Sequence, residues 1–99
     1  MDSYDLSSYS YKDISDVISD KLVDELMAIW NRNTNVKFCR FIFTRKYKVS
    51  EQSIQFLEIN HYTLEEMIYV KLEISKEFTD IDIKILKDSV EVQVVIVKG

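Results

Sequence analysis

The sequence predicts an α+β fold in which one N-terminal amphipathic helix packs on an antiparallel sheet of four or five strands. Apolar residues recur at three- and four-residue steps over residues 14–29, which is the period of a helix. After residue 36 most apolar residues alternate with polar ones, which is the period of a strand. The chain has 99 residues, and that length suits one domain with one hydrophobic core.

The composition limits the kinds of function. Hydrophobic residues make up 46% of the chain and charged residues 30%, close to the average for folded globular proteins. There is no proline, and the single glycine is the last residue, Gly99. Glycine-rich loops that bring the backbone against a phosphate are therefore missing, which argues against the common nucleotide-binding folds.

The N-terminal helix is the most regular element. Ser10 and Asp13 fit a helix start, because a serine oxygen can accept from a free backbone N–H and an acid favours the positive end of a helix. The pattern ends in the asparagine-rich residues 31–35. Residues 1–10 are rich in serine and tyrosine and predict a flexible or loosely docked arm. A single domain at residues 11–99 follows this arm.

Period-two patterns predict the strands. Residues 36–47 are apolar on both sides, which indicates a central strand. Residues 68–75 and 81–85 alternate apolar and polar side chains, as half-buried antiparallel strands do. Residues 90–97 predict a last strand that is apolar on both faces at its end. Residues 49–60 fit either a helix capped by Ser50 or a strand, and we favour the strand.

Apolar residues exceed what one helix on one sheet face can cover. The second half of the helix has a widened apolar stripe, and the last strand ends with two apolar faces. A second copy of the chain is the simplest cover, so we expect a homodimer. The alternative is a monomer whose curved sheet buries everything. The residues expected in the dimer interface are Met27, Trp30, Val95 and Val97.

One segment of the chain is strongly basic. Residues 36–50 carry five basic and no acidic residues, although the whole chain has a net charge of -4. Aromatic residues lie between these cations, a mixture that surfaces for single-stranded nucleic acid use. The basic strand from Lys37 to Lys48 is therefore an alternative binding site, with Arg45, Lys46 and Lys48 as expected contacts. A core strand that ends at the surface gives the same pattern.

No constellation of residues predicts catalysis. His61 and Cys39 are the only histidine and the only cysteine, whereas zinc and iron sites use several such ligands. Asp80 and Asp82 share one side of a predicted strand, where exposed carboxylates are common. We expect no enzyme activity, no cofactor and no metal.

The sequence also lacks signs of secretion or membrane insertion. A lone cysteine forms no internal disulfide, and the first 13 residues contain no apolar signal-peptide core. No apolar run reaches the ~20 residues that cross a bilayer. We expect an intracellular protein that does not enter a membrane.

Residues 3–30 have the sequence SYDLSSYSYKDISDVISDKLVDELMAIW, in a chain rich in Tyr, Ile and Lys. This segment, the bias and the length resemble small proteins of unknown function from filamentous viruses of hyperthermophilic, acidophilic archaea, the lipothrixvirus group, with relatives in rod-shaped archaeal viruses. The resemblance implies a viral product in the host cytoplasm and stability to heat and acid. It assigns no catalytic or binding residue.

Together these observations predict a non-enzymatic interaction module that forms a homodimer and binds an unknown host or viral protein. The alternative is a nucleic-acid-binding regulator that uses the basic strand.

Overall fold

Within residues 3–32, 39–74 and 76–98, which a computed structural model of the protein describes, the chain forms two α-helices and one four-stranded sheet. The elements in chain order are β1 (Ser3–Asp5), α1 (Ile14–Arg32), β2 (Cys39–Lys48), α2 (Glu51–Leu72), a 3₁₀ turn (Lys76–Phe78), β3 (Thr79–Ile85) and β4 (Ser89–Lys98). The predicted α+β class is confirmed, but the sequence predicted one helix and the structure has two.

Helix α1 confirms the amphipathic helix that the sequence predicts. The N–H of Lys12 donates to Ser10 Oγ at 3.3 Å, and the N–H of Asp13 donates to the Ser10 carbonyl at 3.0 Å. This serine therefore organises the turn from which the helix starts. The helix ends at Arg32 within the predicted terminal segment, of which residues 33–35 lie outside the described residues. Its fully buried apolar side chains are Ile14, Ile18, Leu22 and Leu26.

Helix α2 shows that two predicted strands are wrong. Residues 51–60 and 68–72 belong to this helix instead. Ser50 caps it, because its Oγ accepts from the N–H of Ser53 at 3.2 Å. The helix ends where Glu73 adopts a left-handed conformation, with φ of 55°. The buried apolar residues recur at helical steps and are Ile54, Leu57, Leu64, Ile68 and Leu72.

The sheet has the strand order β1-β2-β4-β3. Strand β2 lies between two neighbours, as predicted for residues 36–47, of which residues 36–38 lie outside the described part of the chain. The pairs β2–β4 and β3–β4 are antiparallel, whereas β1 runs parallel to β2. The sheet is therefore mixed, and the prediction of a wholly antiparallel sheet is wrong.

Residues 3–6 are docked on the domain, although they belong to the segment expected to be a loosely held arm. Strand β1 pairs with the end of β2, and the Tyr4 ring stacks on Tyr47 with 5.9 Å between ring centroids. The Leu6 side chain is buried, and its N–H donates to the Lys48 carbonyl at 2.7 Å. The strand pairing, the Tyr4 ring contact and the buried Leu6 side chain together hold this segment on the domain.

Both helices cover the same face of the sheet. The even-numbered side chains of β4 are buried beneath them, namely Val90, Val92, Val94 and Ile96. The helices are joined at the surface by Lys71 of α2, whose Nζ lies 2.8 Å from Asp20 and 2.6 Å from Ser19 of α1. Odd-numbered side chains of β4 point to the opposite face.

Candidate functional site

The face of the sheet opposite the helices is not covered by any element within the described residues. We call it the outer sheet face and define it by the even-numbered side chains of residues 40–48 and 80–84 and the odd-numbered side chains of residues 91–97. Most of these side chains are exposed, and the others are half-buried. Antiparallel sheets commonly have one face exposed to solvent, so exposure alone does not make this face a binding site. The side chains that it carries are the relevant evidence.

The outer sheet face has an apolar centre near the C-terminal end of β4. Ile42 is directly opposite Val95 in the β2–β4 register, and Val97 is the next residue on the same side of β4. Ile42, Val97 and the neighbouring Phe78 are 53%, 51% and 51% exposed. Val95, Val97 and Phe78 also line a groove of about 480 Å³ together with Arg40. Apolar side chains grouped in this way mark contact surfaces more often than single exposed ones do.

Charges flank this apolar centre with opposite sign. Arg40 lies on β2 beside Val97, whereas Asp80 lies on β3 beside Val95, with Asp82 following it. Strand β4 separates the two sides, so the strands β2 and β3 are about 10 Å apart. In the described part of the chain, neither Arg40 nor the two aspartates form an ion pair.

The four residues expected in a dimer interface fall into two separate places. Val95 and Val97 lie on the outer sheet face. Met27 and Trp30 belong to α1 on the other side of the sheet, where both are partly buried against the core. The Trp30 and Phe41 rings form an edge-to-face contact, with 6.0 Å between ring centroids. The structure therefore brings two of the four together. It adds Ile42 and Phe78, which the sequence did not predict as interface residues.

The three expected nucleic-acid contacts also divide, because neighbouring residues of a strand face opposite sides. Lys46 and Lys48 are on the outer sheet face, whereas Arg45 points towards α1. Arg45 Nε lies 2.7 Å from Glu25 Oε2, and the guanidinium carbon lies 4.0 Å from the centre of the Phe43 ring. Arg45 is therefore engaged inside the fold. Lys37 lies outside the described residues, and nucleic-acid binding stays a prediction.

Arg45 belongs to a partly buried polar cluster that joins α1 to β1 and β2. The Glu25 carboxylate accepts from Arg45 and from the Tyr4 hydroxyl. This hydrogen bond to Glu25 raises the pKa of Tyr4. Burial alone would raise the pKa of Glu25, but the hydrogen bonds from Tyr4 and Arg45 together outweigh it and hold that pKa below its ordinary value. The cluster thus favours an ionised Glu25.

Glu25→Gln is expected to lower the free energy of unfolding by about 1–2 kcal/mol near pH 7, where the wild-type carboxylate is charged. Because folding lowers the pKa of Glu25, the stabilisation is present above its unfolded-state pKa of about 4.3 and is lost as the pH falls through the lower folded-state value. Urea unfolding of both proteins from pH 7 to pH 3 measures this. A stability gap that stays constant with pH would contradict the ionised cluster.

Among the described residues, no group of three or more His, Cys, Asp or Glu side chains lies close enough to hold a metal ion. The His61 ring is partly exposed and packs on Tyr62, with 4.0 Å between ring centroids. Asp80 and Asp82 are exposed on the outer sheet face, as predicted.

Neither α1 nor α2 combines the length and apolar character that a membrane-spanning helix needs; this finding covers residues 3–32, 39–74 and 76–98. No protein-family model, no curated protein and no solved structure matches the chain. The outer sheet face, with its apolar centre and its two charged sides, is the feature on which the functional proposal rests.

Proposed function

We propose that this protein is a non-enzymatic interaction module that forms a homodimer through its outer sheet face. The observation that carries the proposal is the exposed apolar centre of that face. The helices bury Val92, Val94 and Ile96 on the other side of β4, whereas Ile42 and Val97 remain half exposed. Covering such side chains is favourable by about 25 cal/mol per Å² of apolar surface removed from water.

A second copy of the chain is the simplest occupant because it always accompanies the first and carries the same apolar centre. Two-fold dimers of this kind are the commonest assemblies of soluble proteins. The dimer would then bind a host or viral partner, and the viral origin that the resemblance implies stays a prediction.

Val97→Lys is expected to weaken self-association at least ~10-fold, because each dimer would bury two unpaired ammonium groups. Sedimentation velocity from 5 to 500 μM measures the effect, and the wild type is expected to pass from monomer to dimer in this range. Val70→Lys is the matched control, since Val70 is also an exposed valine, 72% accessible, but lies on α2.

A wild-type protein that remains an 11.8 kDa monomer at every concentration would overturn the proposed homodimer. Equal weakening by Val97→Lys and Val70→Lys would also count against the outer sheet face. Ile42→Lys provides a second test on β2, whose effect is expected to match that of Val97→Lys.

A further inference from the structure

We propose that the protein binds its partner by strand addition, in which an extended acidic segment of the partner pairs with the open edge of β2. We define this open edge as the side of residues 39–45 that faces away from β4, since β1 pairs with residues 46–48. The inference rests on the proposed function only in that the protein binds another protein. It adds the site, which uses the backbone of β2 and not the apolar centre of the outer sheet face.

The direction of the backbone groups along the open edge follows from the pairing of β2. The Lys48 carbonyl accepts from the N–H of Leu6, so Lys48 turns its backbone groups towards β1 and away from β4. In an antiparallel pair this direction alternates from one residue to the next. Arg40, Ile42 and Thr44 are separated from Lys48 by even numbers of residues along β2, and their backbone groups therefore also point away from β4.

These groups form a row of donors and acceptors at the edge of the sheet. Arg45 Nη1 donates to the Thr44 carbonyl at 2.8 Å and so occupies one acceptor. The N–H and C=O groups of Arg40 and Ile42, and the N–H of Thr44, have no hydrogen-bond partner among the described residues. Extended peptides that add a strand to a sheet pair with such a row through their own backbone.

The side chains beside the open edge determine which segment fits. On the helix side of the sheet, Phe41 and Trp30 are only half-buried, with 6.0 Å between their ring centroids. On the outer sheet face, Arg40 is exposed and forms no ion pair with any described residue, and β2 contains no acid. Adjacent strands place side chains of the same face side by side. The fitting segment therefore alternates apolar side chains next to Phe41 with acidic side chains next to Arg40.

The other edge of the sheet is less suited to this segment. The Tyr69 hydroxyl of α2 donates to the Thr79 carbonyl of β3 at 3.1 Å. The exposed side chains of β3 on the outer sheet face include Asp80 and Asp82, whose carboxylates would repel an acidic strand. Charged side chains on an edge strand are one way in which proteins prevent pairing there. The two edges therefore differ in charge, and β2 has the edge that attracts carboxylates.

A second copy of the chain does not fit the open edge of β2. Helix α1 lies over this strand, because Arg45 reaches Glu25 and Trp30 contacts Phe41. Two copies joined β2 to β2 about a two-fold axis would bring their α1 helices to about the 5 Å spacing of paired strands. Packed helices need about 8–10 Å between their axes. A single extended segment without a helix avoids this clash.

A synthetic peptide of seven residues that alternates valine and glutamate is the probe, because it matches the length and both sides of the open edge. We expect a dissociation constant of about 0.1–1 mM, since one added strand makes a much smaller contact than a standard protein interface. A ¹⁵N NMR titration of the full chain measures it, and the amide signals of Arg40 and Ile42 are expected to move downfield and saturate. The same peptide with lysine in place of glutamate is expected to bind at least ~5-fold more weakly.

Thr44→Pro tests the backbone pairing, because proline removes an N–H of the open edge and no hydrogen bond to β4. We expect it to weaken binding of the valine–glutamate peptide at least ~5-fold. Ile83→Pro is the matched control on β3, since its register partner Val92 turns its backbone groups towards β2. The N–H of Ile83 therefore also points away from β4, and this variant is expected to bind as the wild type does.

Arg40→Glu tests the charge preference. It is expected to weaken binding of the valine–glutamate peptide by about 3–10-fold and to strengthen binding of the valine–lysine peptide. Lys87→Glu, in the exposed β3–β4 turn, is the control with the same change in net charge. Equal effects of the two substitutions would contradict recognition by Arg40.

Peptides with methylated backbone nitrogens give the same test on the unchanged protein. One is methylated at its glutamates only and the other at its valines only, so each lacks the N–H donors of one edge of the added strand. One of the two is expected to lose binding, and which one it is shows the direction of the added strand. Equal binding by both would overturn strand addition, even if the proline variants do not fold.

The outcomes separate this site from the homodimer. Val97→Lys is expected to break self-association and to leave peptide binding unchanged, because it alters only the apolar centre. If no amide of the open edge moves at about 5 mM peptide, strand addition is wrong, whereas the homodimer is decided by sedimentation alone. If Thr44→Pro, folded by circular dichroism, abolishes self-association, a second copy occupies the edge and the proposal is overturned.

Discussion

Replacing Tyr47 with alanine is expected to lower the free energy of unfolding by about 3–5 kcal/mol, the range typical of large aromatic residues in cores. Tyr47 is fully buried and is the largest such side chain in the described part of the chain. Its ring also stacks on Tyr4, so the substitution removes one of the contacts between β1 and β2. Urea unfolding followed by circular dichroism measures the loss.

Tyr47→Phe is expected to behave differently and to change stability by less than about 1 kcal/mol in either direction. The Tyr47 hydroxyl is buried, and none of the described residues forms a hydrogen bond with it. Burial raises the pKa of this hydroxyl, which therefore stays neutral. Phenylalanine keeps the ring and removes an unpaired polar group. A loss above ~2 kcal/mol would contradict an unpaired hydroxyl.

The first helix could be predicted from the sequence because its apolar residues follow only one period. Ile14, Ile18 and Leu22 are four residues apart, and the residues midway between them, Asp16 and Asp20, are charged, which a buried strand face does not allow. The helix α2 was missed because its pattern satisfies two periods at once. Ile68 and Leu72 are four residues apart, but Val70 between them completes an apparent strand alternation. Short apolar runs do not distinguish the two structures without knowledge of which side chain is buried.

The contact surface could be predicted only in part. Val95 and Val97 were selected because the last strand is apolar on both faces, and the structure places them on the outer sheet face. Arg45 was grouped with Lys46 because the two are adjacent in a basic segment. Adjacent strand residues point to opposite faces, so Arg45 and Lys46 lie on different sides of the folded sheet. A count of every second residue along the strand would have separated them.

The charged residues that form ion pairs between elements differ from those on the outer sheet face. Arg45 with Glu25 and Lys71 with Asp20 join α1 to the sheet and to α2, and Lys76 pairs with Glu66 near the 3₁₀ turn. The charges on the outer sheet face do not take part in these pairs. Charges that hold no element in place can be changed with little effect on folding, and they can select a partner through complementarity.

Ile68→Ala and Val70→Ala test the helical assignment of the segment that the sequence left ambiguous. Ile68 is fully buried, whereas Val70 is 72% exposed although only two residues away. We expect Ile68→Ala to lower the free energy of unfolding by about 2–5 kcal/mol. Val70→Ala is expected to change it by less than about 0.5 kcal/mol, or to raise it slightly, because alanine favours a helix more than valine does.

A strand over residues 68–75 would give the opposite result for Val70. In a strand, Ile68, Val70 and Leu72 share one buried face, so both alanine substitutions would be destabilising by similar amounts. Urea unfolding of the two variants therefore distinguishes a period of 3.6 from a period of two at a single pair of positions. Comparable losses would contradict α2, and with it the arrangement in which both helices cover one face and leave the other free for a partner.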